Sequence, residues 1–175
     1  MKQYTVSCND ILESPWRNIK NISVGDISQS VEERCPNMYY TISCDGRPYL
    51  VINVYYEYNT TFKDAEVLGK YVFIGFCDSV FIVNLDNNNV RKIMLRYYFG
   101  HMNKYENFIL IGSACDLLLF DKSAELKWVA EDVGIDGVIV HDFDGKYIYG
   151  NGEYDPPGGW IKFKICYKTG KRVND

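Results

Sequence analysis

The sequence has little of what metal sites, cofactor sites and common catalytic sites require. It contains only two histidines, His101 and His141, and its six cysteines include no Cys-x-x-Cys pair. A zinc site needs several closely spaced cysteine or histidine ligands, so this pattern argues against one. No Gly-x-Ser-x-Gly nucleophile motif and no glycine-rich phosphate-binding loop occurs. We therefore predict no metal, no cofactor and no catalytic site.

The chain also lacks an excess of positive charge and a long apolar run. Its 19 lysines and arginines are outnumbered by 23 aspartates and glutamates, for a net charge of -4. Binding nucleic acid through its phosphates needs a basic face, so a basic protein partner fits this charge better. The beginning, MKQYTVSCNDILESPW, has no apolar signal-peptide core, and no stretch is long enough to span a membrane. We expect a cytoplasmic protein away from membranes, with reduced and mostly buried cysteines.

Strand-forming residues and turn signals, in contrast, are abundant. There are 15 tyrosines, and short β-branched runs alternate with turn residues such as Asp45-Gly46 and the stretch DNNN at 86–89. This pattern predicts a mainly β fold of repeated antiparallel meanders. One short helix is predicted at about residues 27–34, because Asp26 is a suitable N-cap and Pro36 ends the run.

Three segments align as internal repeats. Tyr71, Phe108 and Tyr147 fall in register at spacings of 37 and 39 residues, and the stretch 119–128 has a strand, an Asp turn and a Lys-Trp pair. From about residue 71 to 173 the chain therefore resembles the propeller-type β repeats. The resemblance implies a propeller or partial propeller, and a pair of packed twisted sheets is the alternative.

The domain organisation follows from the length and from the repeats. The chain of 175 residues predicts a single domain. Within it we expect a helix-containing N-terminal part over about residues 1–68. The β-repeat part then occupies about residues 69–173.

The stretch GEYDPPGGW, residues 152–160, is the strongest candidate for a functional loop. Its two prolines exclude a central strand, and its glycines allow a sharp reversal. One interpretation is a structural corner closed by an aromatic plug. The other is a rim loop that binds a partner through Glu153, Tyr154, Asp155 and Trp160, since aromatic residues anchor interfaces and carboxylates attract basic surfaces.

The strand after this loop alternates with period two. Ile161, Phe163 and Ile165 form one face of the run WIKFKI, and we predict that this face points inward. Trp160 then shares the outer face with Lys162 and Lys164. It is either folded over the proline pair or offered to a partner.

The C-terminal part of the sequence resembles that of small, acidic, toxin-immunity-like bacterial proteins. The resemblance covers Gly152 through Trp160, Phe163 and the turn at 169–170. The resemblance implies a non-catalytic protein that neutralises a toxin domain by direct stoichiometric binding. It identifies no catalytic residue.

An enzyme is the alternative that the residues leave open. Asp142, Asp144, Glu153 and Asp155 could serve a small carboxylate-dependent hydrolase, because glycoside hydrolysis needs a pair of carboxylates. The His141-Asp142 pair is a weaker candidate, since adjacent strand residues point to opposite faces.

Overall fold

Nearly all regular structure in the protein is β-strand, as the sequence predicts. A computed structural model describes residues 2–26, 35–57, 60–154 and 159–173. The strands are β1 (Tyr4–Asn9), β2 (Asn21–Gly25), β3 (Met38–Cys44), β4 (Arg47–Tyr55), β5 (Lys63–Leu68), β6 (Tyr71–Phe76), β7 (Ser79–Asn84), β8 (Val90–Met94), β9 (Phe99–Lys104), β10 (Phe108–Ser113), β11 (Leu117–Asp121), β12 (Leu126–Ala130), β13 (Val138–Phe143), β14 (Tyr147–Glu153) and β15 (Trp160–Cys166). A short 3-10 helix covers Trp16–Asn18. The helix predicted at 27–34 lies outside the described residues.

Consecutive strands form four small sheets. Sheet 1 has the order β1-β3-β4-β2, sheet 2 contains β5 to β8, sheet 3 contains β9 to β12, and sheet 4 contains β13 to β15. All paired neighbours are antiparallel except β2 and β4. The predicted antiparallel meanders are therefore confirmed. Tyr71, Phe108 and Tyr147 begin β6, β10 and β14, the second strand of each successive sheet.

Two of the predicted turns connect strands as expected. Asp45 and Gly46 join β3 to β4 and have φ of 50° and 74°, as a tight two-residue hairpin turn requires. Residues 85–89 join β7 to β8, where the Asn84 side chain accepts a hydrogen bond from the Asp86 amide. The predicted boundary near residue 69 falls inside the hairpin of β5 and β6.

The sheets pack in chain order, with an apolar core between each pair of neighbours. Three buried clusters lie between sheets 1 and 2, sheets 2 and 3, and sheets 3 and 4. Strand β6 contributes to two of these clusters. Val72 and Ile74 pack toward sheet 1, while Phe73 packs toward sheet 3. Burial on both faces explains why this strand is an unbroken apolar run.

This arrangement is the packed-sheet alternative, with four sheets in place of two. Among the described residues, no buried apolar cluster joins sheet 4 to sheet 1. The likeness to propeller repeats stays a prediction.

Two glycines of the repeats let one sheet approach the next. A Cβ at Gly75 of β6 would overlap the ring of Phe99, a fully buried residue of β9. A Cβ at Gly112 of β10 would lie 2.7 Å from the backbone oxygen of Val138 in β13. Gly75 and Gly112, each of which follows an isoleucine in its strand, are therefore packing requirements at the junctions between sheets.

The structure corrects two details of the sequence analysis. Phe163 and Ile165 face inward as predicted, but Ile161 is exposed, because it lies at the start of the last strand of sheet 4. None of the six cysteines forms a disulfide, but only Cys77 and Cys115 are buried. These two occupy equivalent turns, and their backbone oxygens accept hydrogen bonds from segments that lead into the next sheet.

Candidate functional site

Loops at one end of sheets 2, 3 and 4 meet on a common surface. It contains the residue before β5, the connection of β8 to β9, the connection of β12 to β13, and the ends of β14 and β15 that face each other. We call this surface the rim. Its defining residues are Phe62, Tyr97, Tyr98, Asp136, Glu153 and Trp160.

Trp160 and Glu153 are brought together by strand register. They are direct partners in the antiparallel pair of β14 and β15. The indole of Trp160 packs on Gly137. The contact is close, because a Cβ added to Gly137 would lie 2.9 Å from the Cη2 atom of Trp160. The Glu153 amide donates to the Gly137 oxygen at 2.9 Å, and its own oxygen accepts from the Ile135 amide at 2.7 Å. Glu153 and Trp160, on either side of the undescribed residues 155–158, are therefore held against the segment that precedes β13.

Tyr154 is tied into the same corner through its hydroxyl group. The hydroxyl donates to the Asp132 backbone oxygen at 2.8 Å and accepts from the Arg172 guanidinium at 3.0 Å. That guanidinium also lies over the Tyr154 ring, 5.7 Å from its centroid. These contacts hold the Tyr154 side chain between the connection of β12 to β13 and Arg172. Asp155, the fourth predicted residue, lies outside the described residues.

Tyr98 links the middle of the rim to both sides. Its ring stacks on Phe62, with centroids 5.8 Å apart and planes 13° apart. Its hydroxyl group donates to two oxygens of Asp136. One is the backbone oxygen, and the other is Oδ1, at 3.1 Å. Burial first, and then the hydrogen bond to Asp136, raise the pKa of Tyr98 to about 12. The hydroxyl therefore stays protonated and keeps this bond at neutral pH.

A shared ion pair, of which only Asp116 is buried, supports this part of the surface. The Arg96 guanidinium binds Asp116 at 2.7 Å and also binds Asp132. Asp116 is buried, and it further accepts the Asp132 amide at 3.1 Å. The cluster joins the β8–β9 connection to the β12–β13 connection. The ion pairs therefore hold the two connections in place. The first connection presents Tyr97 and Tyr98 on the rim, and the second presents Asp136.

The rim exposes apolar and acidic groups side by side. Phe62 is 46% exposed, Tyr97 52%, Ile135 52% and Trp160 38%. The side chain of Asp132 is 77% exposed beside them. Scattered exposed apolar residues are ordinary, but several on one rigid surface are typical of an interaction site.

The structure separates Glu153 from Asp142 and Asp144, whereas Asp155, the fourth carboxylate of the hydrolase alternative, lies outside the described residues. Asp142 and Asp144 lie where β13 meets β14, whereas Glu153 ends β14. The strand between them spans about 20 Å at ~3.4 Å per residue, much more than a catalytic carboxylate pair allows. Asp144 organises its turn: the Tyr147 amide, and then the Tyr149 hydroxyl, lower the pKa of this carboxyl. Across the described ranges, no group of histidine, cysteine, aspartate and glutamate could hold a metal.

The histidines lie in strands rather than on the rim. His101 of β9 accepts the Val140 amide of β13 on its Nε2 atom at 3.3 Å, which links sheets 3 and 4. Burial lowers the pKa of His101. His141 is exposed, at a register shift between Val140 and Asp142.

Sequence reasoning found one side of the rim and missed the other. Phe62, Tyr97, Tyr98 and Asp136 come from three connections that have no shared motif. The available signal is the pair of adjacent tyrosines at 97–98, placed between two strands rather than within one.

No protein-family model and no curated protein matches this chain. Within its described part, no helix has the length and apolar character needed to cross a membrane. The geometry of the rim is therefore the main guide to function.

Proposed function

We propose that the protein is a non-catalytic binding protein that neutralises a basic protein partner by stoichiometric association. In this proposal the partner is a bacterial toxin domain, and the protein is its cytoplasmic immunity protein. No cofactor, metal or nucleic acid takes part. The resemblance of residues 152–170 to toxin-immunity-like proteins and the net charge of -4 support the assignment.

The observation that carries the proposal is the composition and rigidity of the rim. Trp160, Tyr97 and Phe62 expose large apolar surfaces, which are suited to desolvated contacts at the centre of an interface. Asp132, Asp136 and the carboxylate of Glu153 attract a positively charged surface and steer its approach. Occlusion of the active site of the partner would then be enough for neutralisation.

Fixed backbone positions favour tight binding by this surface. Glu153 is held by hydrogen bonds on both sides of its peptide unit, and Tyr98 is held by Phe62 and Asp136. A surface that is already ordered loses little conformational entropy when a partner binds. The rim is thus suited to association without rearrangement.

A direct test uses the gene next to the one that encodes this protein. If that gene encodes a secreted protein, its C-terminal domain is expressed alone and with this protein. We expect growth arrest by the domain alone, rescue on co-expression, and a one-to-one complex by calorimetry.

Two results would contradict the proposal. One is turnover of a substrate by the purified protein with no partner present. The other is a toxic neighbouring domain that neither binds this protein nor is neutralised by it.

A further inference from the structure

A cavity lies on one side of the rim, between the segment before β5 and the connection of β8 to β9. Its volume is about 500 Å³, and Thr60, Phe62, Asp78, Tyr97 and Tyr98 are among its lining residues. Phe62 and Tyr97 are about half exposed, so the cavity opens to solvent. Its polar groups include the Thr60 hydroxyl, which accepts the Cys77 amide at 3.4 Å.

The walls of this cavity are aromatic on two sides. The rings of Phe62 and Tyr98 are stacked on each other, and Tyr97, the residue before Tyr98, also lines the cavity. The faces of aromatic rings carry negative potential and attract cations, guanidinium groups in particular. Tyr97 already accepts such a contact, because the Arg96 carbon Cζ lies 5.5 Å from its ring centroid.

Charges around the cavity are mostly negative. Asp78 lines it directly, and Asp136 is bonded to the Tyr98 hydroxyl at its edge. Asp136 and Glu153 both contribute to the raised pKa of Tyr98, so both carboxylates act on this position. The nearby cation is Arg96, and Asp116 and Asp132 already bind it. The local field therefore favours an incoming positive group.

We propose that this cavity receives an arginine side chain of the protein partner, with the guanidinium against the aromatic rings and hydrogen-bonded to Asp78. The inference rests on the proposed function and extends it, because it assigns the chemistry of one anchoring residue on the partner. A planar guanidinium combines stacking with carboxylate pairing, which an ammonium group does less well.

The test is an NMR titration of the ¹⁵N-labelled protein with N-acetyl-arginine amide at constant ionic strength. We expect saturable shifts at the amides of Thr60, Asp78, Tyr97 and Tyr98, with millimolar affinity. N-acetyl-citrulline amide has nearly the same shape without the charge, and it should bind at least tenfold more weakly. N-acetyl-lysine amide should also bind more weakly than the arginine probe.

Two variants examine the walls of the cavity. Asp78→Asn keeps an acceptor for the Ser79 hydroxyl, which donates to Asp78 at 2.8 Å, but removes the charge. Phe62→Leu removes the exposed ring. Each should weaken the arginine probe about fivefold or more, whereas Glu106→Gln, at the opposite end of sheet 3, should leave its affinity unchanged.

Several outcomes would overturn the inference. Equal binding of arginine and citrulline probes would exclude a cation site, and tighter binding of the lysine probe would exclude the guanidinium assignment. Absence of saturable shifts would remove the site altogether. If these probes fail but variants at Trp160 still weaken capture of the partner, the cavity assignment fails while the proposed function stands. If the probes bind but no toxin domain is neutralised, the proposed function fails while the cavity still binds guanidinium groups.

Discussion

Trp160 is both a packing residue and an exposed one, and these two roles can be separated by measurement. One part of its indole lies on Gly137, while 38% of the residue stays exposed. We expect Trp160→Ala to weaken binding of the toxin domain by about 2 kcal/mol or more, as truncation of a buried interface anchor does. Calorimetry with the partner measures this loss.

The matched control for this variant is Leu126→Ala. Leu126 is also a large, exposed apolar residue, but it lies on β12 away from the rim. The Leu126→Ala variant should bind the toxin domain with the same affinity as the parent protein. Unfolding curves of both variants must show folded protein, and a folded Trp160→Ala variant with full affinity would exclude Trp160 from the interface.

His101 makes stability depend on pH. Burial lowers its pKa below 6.5, with His141 acting in the same direction and Asp64 and Asn103 in the opposite one. The folded state therefore binds fewer protons than the unfolded state, and stability falls as pH drops through about 6.5. The loss is bounded by about 1.4 kcal/mol per pH unit for this one group. Protonation of Nε2 would also remove the acceptor used by the Val140 amide.

Urea unfolding at pH 7.5 and pH 5.5 measures this dependence. His101→Gln should reduce the difference between the two pH values, whereas the same change at the exposed His141 should reduce it less. An identical pH dependence in the parent and in His101→Gln would contradict this assignment.

At the scale of elements, the junctions between sheets depend on glycines in the second strand. A methyl group at Gly75 has to share space with the buried ring of Phe99. We expect Gly75→Ala to destabilise the protein by about 1–3 kcal/mol, the usual cost of overpacking a core. Urea unfolding at neutral pH provides the measurement.

A second substitution tests the cause of this loss. Phe99→Leu in the Gly75→Ala background relieves the overlap, so the double variant should lose less than the sum of the two single variants. Strict additivity of the two losses would show that the ring and the methyl group do not compete.

The strands were predictable because local patterns determine them. The Asp45-Gly46 hairpin follows from turn chemistry alone, and doubly buried β6 follows from its unbroken apolar run. The exposure of Ile161 was not predictable in this way. Period-two alternation indicates which residues share a face, but only the tertiary structure shows where along a strand the covering sheet ends.

At the scale of the whole molecule, charge determines how fast a partner arrives. Glu153→Lys reverses a charge on the rim and should slow association with a basic domain, with a smaller effect on dissociation. The slowing should shrink as salt is added, because salt screens exposed charges. Stopped-flow measurements over a range of salt concentrations give both rates.

Glu106→Lys is the control for net charge. Glu106 is exposed on the hairpin of β9 and β10, at the end of sheet 3 remote from the rim. Glu106→Lys changes the net charge of the protein by the same amount as Glu153→Lys but leaves the rim unchanged. If both variants slow association equally, steering depends on overall charge and not on this surface.

The composition of the rim explains why only part of it was predictable. Glu153, Tyr154 and Trp160 are close in sequence, so their loop is recognisable as one stretch. Tyr98 and Asp136 are 38 residues apart and meet only because sheets 3 and 4 pack at a particular distance. No residue pattern specifies that distance, since it results from the fit of many core side chains.

The packing of sheets in chain order also affects how the protein folds. Strand pairs lie within one sheet, and each sheet is a continuous segment, so the described strands pair only within their own stretch of the chain. We therefore expect folding that is fast for this class, with each meander able to open as a local unit. The rim takes residues from sheets 2, 3 and 4, so a bound partner would connect three such units. Hydrogen exchange should then slow across all three sheets, well beyond the residues that the partner touches.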